Sequence, residues 1–162
     1  MSVADRLKGI KLLAMDVDGV LTDGTFMWST SGEEQKSFSF EDVMGLSIGR
    51  RAGLIFALIS GEDSPLVDRF AKKLAIPHVY KGIKNKGEVL ASLIEKLGLS
   101  KDDVAYIGDD VNDLAAFEVA GLSIAPSNAH ATVKAAAQLV LECSGGKGAV
   151  RELIDCLLAD RK

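Results

Sequence analysis

Cysteine and histidine are scarce in this sequence, with two of each. Cys143 and Cys156 are too few for a disulfide framework, and neither they nor His78 and His130 fall at metal-site spacing. Both histidines read as structural, and a cytoplasmic location is expected. No apolar run approaches the roughly 18 residues a membrane span needs, because Asp16 and Asp18 interrupt the longest early stretch. The first residues, MSVADRLKGIKLLAMDVDG, lack the layout of a signal peptide. Nor does one sign of charge gather anywhere: 19 Lys and Arg are spread among 23 Asp and Glu, leaving a net charge of −4. This disfavours a nucleic-acid or anionic-membrane partner, since either calls for a basic footprint.

What is present suits one domain spanning residues 1–162, because that length at 48% hydrophobic composition can bury a full core without staples. Short apolar runs at 10–15, 54–59, 104–107 and 122–125 each end in Asp, Gly, Ser or Pro, and read as buried parallel strands. Amphipathic stretches at 42–51, 64–74, 86–97 and 111–119 read as helices between them, with Gly53 and Gly98 as stops. The alternation predicts a doubly wound, Rossmann-like α/β sheet whose functional groups gather at the carboxyl ends of its strands. Residues 24–40, GTFMWSTSGEEQKSFSF, break the pattern. β-forming residues flank the turn-prone Ser29–Thr30–Ser31–Gly32, which predicts a β-hairpin insertion. Phe26, Trp28, Phe38 and Phe40 would leave an exposed apolar patch on a monomer, so neighbouring subunits are expected to cover it. A hairpin folded back on its own domain is the alternative.

The first strand delivers DVDGVLTDG, in which Asp16 and Asp18 are two apart on extended backbone and face the same way. The strand at 104–107 delivers YIGDDVNDL, adding Asp109, Asp110 and Asp113 at the same sheet edge. Two carboxylates about 4 Å apart repel by roughly 1 to 4 kcal/mol, so such a cluster requires a cation. Oxygen-only ligands favour a hard ion, and a site shared with phosphate oxygens and water favours Mg²⁺. Asp16, Asp109 and the Asp18 carbonyl are the expected ligands. Asp110 and Asp113 either stand behind those ligands and orient them or cap the following helix. Ser60 and Gly61 can offer a hydroxyl and N–H groups to a phosphate oxygen. Lys86 opens a helix, where the dipole disfavours a cation unless an anion sits opposite.

Taken in order, DVDGVLTD, ISG, Lys86 and GDDVND resemble the haloacid dehalogenase superfamily of phosphatases across almost the whole chain. The short hairpin in place of a cap, the FEDVMGL segment and the tail SGGKGAVRELID are similar to the 3-deoxy-D-manno-octulosonate 8-phosphate phosphatase family, whose members are capless tetramers. The resemblance implies Asp16 as nucleophile, forming an aspartyl-phosphate, and Asp18 as general acid and base. It implies Lys86, Ser60 and Mg²⁺ as charge neutralisers around the phosphoryl group. The implied substrate is a phosphorylated 2-keto-3-deoxy sugar acid, with Gly61, Asp42, Glu62, Lys73, Asn112, Lys147 and Arg151 as candidates to contact it. Glu41 and Glu62 stand where the octulosonate branch usually carries bases, while Glu62 with Lys73 looks more like relatives acting on nine-carbon nonulosonate 9-phosphates. Both substrates stay open. So do a broad-specificity small-metabolite phosphatase and a non-catalytic tetramer-forming module. A two-component receiver domain is disfavoured, because its acid pair is adjacent and its phosphorylated Asp comes later in the chain.

Overall fold

The computed structural model describes residues 1–159. Six parallel strands form the main sheet: β1 (Leu12–Met15), β4 (Ile55–Ile59), β5 (His78–Tyr80), β6 (Val104–Ile107), β7 (Leu122–Ala125) and β8 (Leu139–Val140). Their spatial order is β5-β4-β1-β6-β7-β8, so the chain winds outward in both directions from β1, with the topological switch between β1 and β6. Two further strands, β2 (Met27–Trp28) and β3 (Glu34–Gln35), pair antiparallel as the hairpin expected within residues 24–40.

Each central strand is buried on both faces, which is why its sequence is a continuous apolar run and not an alternating one. Leu13, Met15, Phe56, Leu58, Ala105 and Ile107 face one layer, and Leu12, Ala14, Ala57, Ile59, Val104 and Tyr106 the other. The first layer is covered by α1 (Val3–Gly9), α2 (Phe40–Arg51), α3 (Pro65–Leu74) and α7 (Ala149–Leu158). The second is covered by α4 (Lys86–Leu97), α5 (Leu114–Val119) and α6 (Ala131–Ala136). No helix among the described residues is long and apolar enough to cross a membrane.

The expected helix at 111–119 is divided into a 3-10 turn, Val111–Asp113, and α5. The break follows from Asp113, whose carboxylate turns back to the amides of Asp109 and Asp110 and tightens that turn. Gly98 ends α4 in the left-handed conformation, φ 64°, as its position after the last apolar residue predicts. The hairpin is partly folded back: Phe38 stacks on Phe70 of α3 at 4.4 Å between ring centroids and is not exposed, a correction to the expected patch. Phe26, Trp28 and Phe40 remain 53%, 69% and 83% exposed.

Gly87, the second residue of α4, brings that helix against α5 so closely that a Cβ there would stand 2.6 Å from the Ala115 carbonyl oxygen. A Gly→Ala change inside a helix ordinarily gains up to about 1 kcal/mol. Here the backbone clash reverses the sign. Gly87→Ala is expected to destabilise the protein by about 1–3 kcal/mol in urea titration; a stabilised protein would show that the helices part without cost.

Candidate active site

The parallel register sets three strand ends side by side. Met15 of β1 pairs with Ile107 of β6 on one side and Leu58 of β4 on the other. The next residues along each strand therefore emerge at one edge: Asp16 and Asp18 after β1, Ser60 and Gly61 after β4, Asp109 and Asp110 after β6. The Asp16 amide donates to the Ile107 carbonyl at 3.0 Å, so the first acid is still held by the ladder. Gly19 then turns the chain at φ 82°, where any Cβ would overlap the Asp109 carboxylate. Only glycine lets the two loops approach this closely. The loop is closed by the Thr22 hydroxyl, which accepts from the Gly19 and Gly24 amides at 3.2 Å each.

Beneath these acids lies Lys86, fully buried, its ammonium 3.0 Å from Asp16 Oδ1 and 2.8 Å from Asp113 Oδ1. Asp113 is saturated. Its Oδ1 also accepts from the Tyr106 hydroxyl at 2.7 Å, and its Oδ2 accepts the amides of Asp109 at 2.9 Å and Asp110 at 3.2 Å. Burial opposes the charge on Lys86, but Asp16 and Asp113 outweigh it and push its pKa upward. Burial, with Asp113 and Asp109 adding repulsion, drives the Asp16 carboxyl well above the usual range despite Lys86. Asp109 is pushed up to about 6 by burial and by Asp113.

The site therefore carries more negative charge than Lys86 balances. Carboxylate oxygens of Asp16, Asp109 and Asp113 lie within 4.8 Å of one another. With Asp113 fully hydrogen-bonded, Asp16 and Asp109 are the two acids free to ligate. An all-oxygen pair of this kind fits a hard divalent cation, and Asp113 fits the role of fixing Asp109 and Lys86 around it.

Above the acids opens a cavity of about 620 Å³, whose lining includes Asp16, Asp18, Asp109, Asp110, Gly61, Glu62, Asn112 and, from the hairpin, Phe26, Trp28, Glu34 and Lys36. Ser60 lies just below, its hydroxyl accepting the Glu62 amide at 3.2 Å. Asn112 packs its amide nitrogen against Gly61. Asp110 caps the 3-10 turn through the Val111 amide and is exposed to the cavity.

Four expected substrate contacts do not line this cavity. Asp42 is fully buried between α2 and α7, where it accepts the Arg151 amide at 3.0 Å and so caps α7. Only Oδ1 gains that backbone donor; Oδ2 is buried without a hydrogen-bond partner among the described residues, and burial pushes the Asp42 carboxyl above its ordinary range. Arg151 turns its guanidinium to Asp155 at 2.9 Å, one helical turn on. Lys147 is exposed in the tail loop near Asp23, while the same loop is pinned to the first one by Asn128, which donates to the Gly19 carbonyl and accepts the Gly145 amide. Lys73 stands 6.0 Å from the Phe40 ring and lines a second cavity, about 790 Å³, between the hairpin and α3. Of the two histidines, His130 caps α6 through Nδ1, and His78 lies on β5 at the sheet edge.

Lys36 was not anticipated from sequence. It is the one cation in residues 24–40, and its place two residues before Phe38 puts both on one face of the extended segment.

Comparison with known proteins agrees with this geometry. A family model described as haloacid dehalogenase-like hydrolase matches residues 75–153. Over 156 residues the chain is 39% identical to the 3-deoxy-D-manno-octulosonate 8-phosphate phosphatase of Salmonella typhi, covering 96% of this chain and 83% of that one. To the Haemophilus influenzae phosphatase of the same name it is 40% identical over 153 residues, 94% of this chain and 85% of the other. The crystal structure of the Moraxella catarrhalis phosphatase, in complex with magnesium ion, phosphate ion and KDO, superposes with a TM-score of 0.93 at 40% identity, covering 96% and 90% of the two chains. The class is thus that of the haloacid dehalogenase-like hydrolases. Within it the chain belongs to the family of 3-deoxy-D-manno-octulosonate 8-phosphate phosphatases, which are phosphoric monoester hydrolases.

The raised acids link stability to pH. A carboxyl whose folded pKa lies above its unfolded value stabilises the fold while protonated, and that contribution is lost as pH rises through the folded value. In chelator, the melting temperature should therefore fall as pH rises through about 6, the value to which Asp109 is pushed. Mg²⁺ at 100 times its Kd should return about 2.7 kcal/mol at pH 8, roughly 5–10 °C for a chain of this size, and much less at pH 5. Equal increments at both pH values would remove Asp16 and Asp109 as ligands.

Proposed function

We propose that this protein is a Mg²⁺-dependent phosphatase that hydrolyses 3-deoxy-D-manno-octulosonate 8-phosphate, working through an aspartyl-phosphate on Asp16. The observation that carries the reading is the convergence of Asp16, Asp18, Asp109 and Lys86 on one sheet edge, in a chain 39% identical to phosphatases of that name over most of its length. Asp16 and Asp109, with the Asp18 carbonyl, would hold the cation. When bound, Mg²⁺ supplies positive charge that favours the ionised acids and the phosphoryl oxygens.

Asp16 attacks phosphorus with the carboxylate oxygen not committed to the backbone, while Lys86 opposes its protonation and fixes its direction, the bound cation supplying the rest of the positive charge. Asp18 gives a proton to the departing sugar oxygen, then takes one from the water that opens the aspartyl-phosphate, so one residue serves both half-reactions. The Gly61 amide, with the Ser60 hydroxyl just beneath it, would donate to equatorial phosphoryl oxygens as charge spreads over them. Asp113 never touches the substrate in this scheme; it holds Lys86 and the Asp109 loop.

A second reading rests on Glu62. An acid lining the cavity repels the carboxylate of a short sugar acid, whereas the hydroxyls of a longer one can donate to it. With Lys73 in the adjoining cavity, this favours a nine-carbon nonulosonate 9-phosphate. Phosphate release with Mg²⁺ decides between them. The eight-carbon ester is expected to exceed the nine-carbon ester about a hundredfold in kcat/KM, a difference near 2.7 kcal/mol. The reverse ratio transfers the assignment to the nonulosonate, and rates no better than a generic aryl phosphate overturn both. In the same assay Asp16→Asn should lose about 10⁴-fold or more of kcat, and full activity would sink the nucleophile assignment.

We also propose a homotetramer in which a neighbour covers the hairpin. Support comes from Phe26, Trp28 and Phe40, apolar side chains exposed beside the cavity mouth. Light scattering should give four times the chain mass of 17.2 kDa. Trp28→Glu should lower that mass, and an unaltered assembly would place the contact elsewhere.

A further inference from the structure

The strand β3 continues as an extended segment in which Glu34, Lys36 and Phe38 share one face. Stacking of Phe38 on Phe70 fixes the height of this segment above α3. Lys36 then reaches into the cavity, its ammonium 2.8 Å from Asp18 Oδ1 and 2.9 Å from Asp18 Oδ2. Its side chain is only 3% exposed. Glu34 stands 3.7 Å from the same ammonium and is itself anchored, accepting from Trp28 Nε1 at 3.3 Å and from the Ser64 hydroxyl at 3.4 Å. A continuous chain of contacts thus runs from the start of α3 and the hairpin's aromatic strand to the Asp18 carboxylate.

Asp18 needs such a partner. It lies three residues beyond β1, on the turning loop, and its side chain has two free torsions. Proton transfer demands an approach of about 2.6–3.2 Å between heavy atoms, so a carboxylate that wanders between rotamers loses most of its effect. Burying an ammonium is costly unless anions surround it, which makes the hairpin conformation dependent on Asp18 and Glu34 as much as they depend on it. Among the described residues lining the cavity, Lys36 is also the one cation.

We propose that Lys36 is a positioning residue for the phosphatase reaction: by engaging both oxygens of Asp18 it fixes that carboxylate toward the leaving-group oxygen of an ester seated on Asp16. The hairpin thereby belongs to the catalytic apparatus of its own subunit, beyond any part it takes in assembly. This rests on the phosphatase reading, with Asp18 as the proton-transfer group. It adds no chemical step; the proton that Asp18 gives to the leaving oxygen departs with the alcohol, and the one it takes from the attacking water replaces it.

The test uses leaving groups of different basicity, with kcat/KM reporting only events up to cleavage of the ester bond. An alkyl phosphate leaves as a strongly basic alkoxide and needs the proton. The p-nitrophenolate ion is a weak base and leaves without it. With the Mg²⁺-loaded full chain, Lys36→Met is expected to lower kcat/KM for the octulosonate ester and for β-glycerophosphate about 30- to 100-fold, within the range that general acid catalysis contributes. For p-nitrophenyl phosphate the loss should stay below about threefold, inhibition by inorganic phosphate should be unchanged, and Lys36→Arg should recover most of the alkyl rate. Equal losses on both ester types would make Lys36 a general charge neutraliser and overturn the proposal, as would no loss or weaker phosphate inhibition. If Lys36→Met does not fold, Glu34→Gln, which removes the second anchor of the ammonium, should give the same selective loss at about 3- to 10-fold; a uniform change overturns it. A wild-type protein that hydrolyses none of the esters refutes the phosphatase reading itself, before any variant is compared.

Discussion

The buried contact between Lys86 and the two acids Asp16 and Asp113 is the constraint on which the site depends. A fully buried ammonium is tolerable only between anions, and here both anions approach within hydrogen-bond distance. This pairing decides where α4 must begin, because Lys86 is its first residue. It also decides how α5 must sit, because Asp113 ends the turn that precedes it. The close seat of Gly87 against Ala115 follows from the same need: the helix carrying Lys86 has to press into the sheet edge far enough to reach Asp16. Fold and chemistry share one set of contacts.

Around that contact the charges fall into two grades. Asp113 spends all its acceptors on neighbours inside the protein and acts as a fixed strut. Asp16 and Asp109 keep acceptor capacity and lie where water and ligands reach them. Asp18 is held from the opposite side, by the hairpin and not by the sheet. Three structural units therefore meet around the acid cluster: the strand ends, the α4–α5 pair and the insertion. Each carries residues that would be ordinary surface charges in another setting.

Much of this could be read in the sequence, for a definite physical reason. Parallel strands buried on both faces appear as short apolar runs, and their register aligns the residues that follow them, so DVD, SG and GDD were bound to converge. Lys86 stood out because a cation at a helix start requires an anion. The elements that escaped notice were of three sorts. β5 and β8 are short edge strands with little apolar signal. The helix α7 carries its pattern openly in Val150, Leu153, Ile154 and Leu157, and Arg151, whose sequence context is equally compatible with a substrate contact and a surface ion pair, takes the ion pair with Asp155 one turn on. Asp42 and Lys36 were different. Whether an acid caps a distant helix, or a lysine points into a cavity, depends on how separate elements dock, which spacing along the chain does not encode.

The winding order has a consequence for how the molecule comes together. The strand pair that carries Asp16 and Asp109, β1 with β6, joins opposite halves of the chain, and β7 and β8 extend the sheet only from β6. Contacts so distant along the chain are entropically expensive to close and tend to form slowly, after local helices and adjacent strands. Repulsion among the acids thus arises late in folding, at the step that joins the two halves, when Lys86 on its intervening helix can already stand between them. Nascent chains lacking β6 already hold the DVD motif, its β4 neighbour and the hairpin's contacts, but not Asp109, so synthesis must pass residue 109 before both carboxylates of the cation cradle exist.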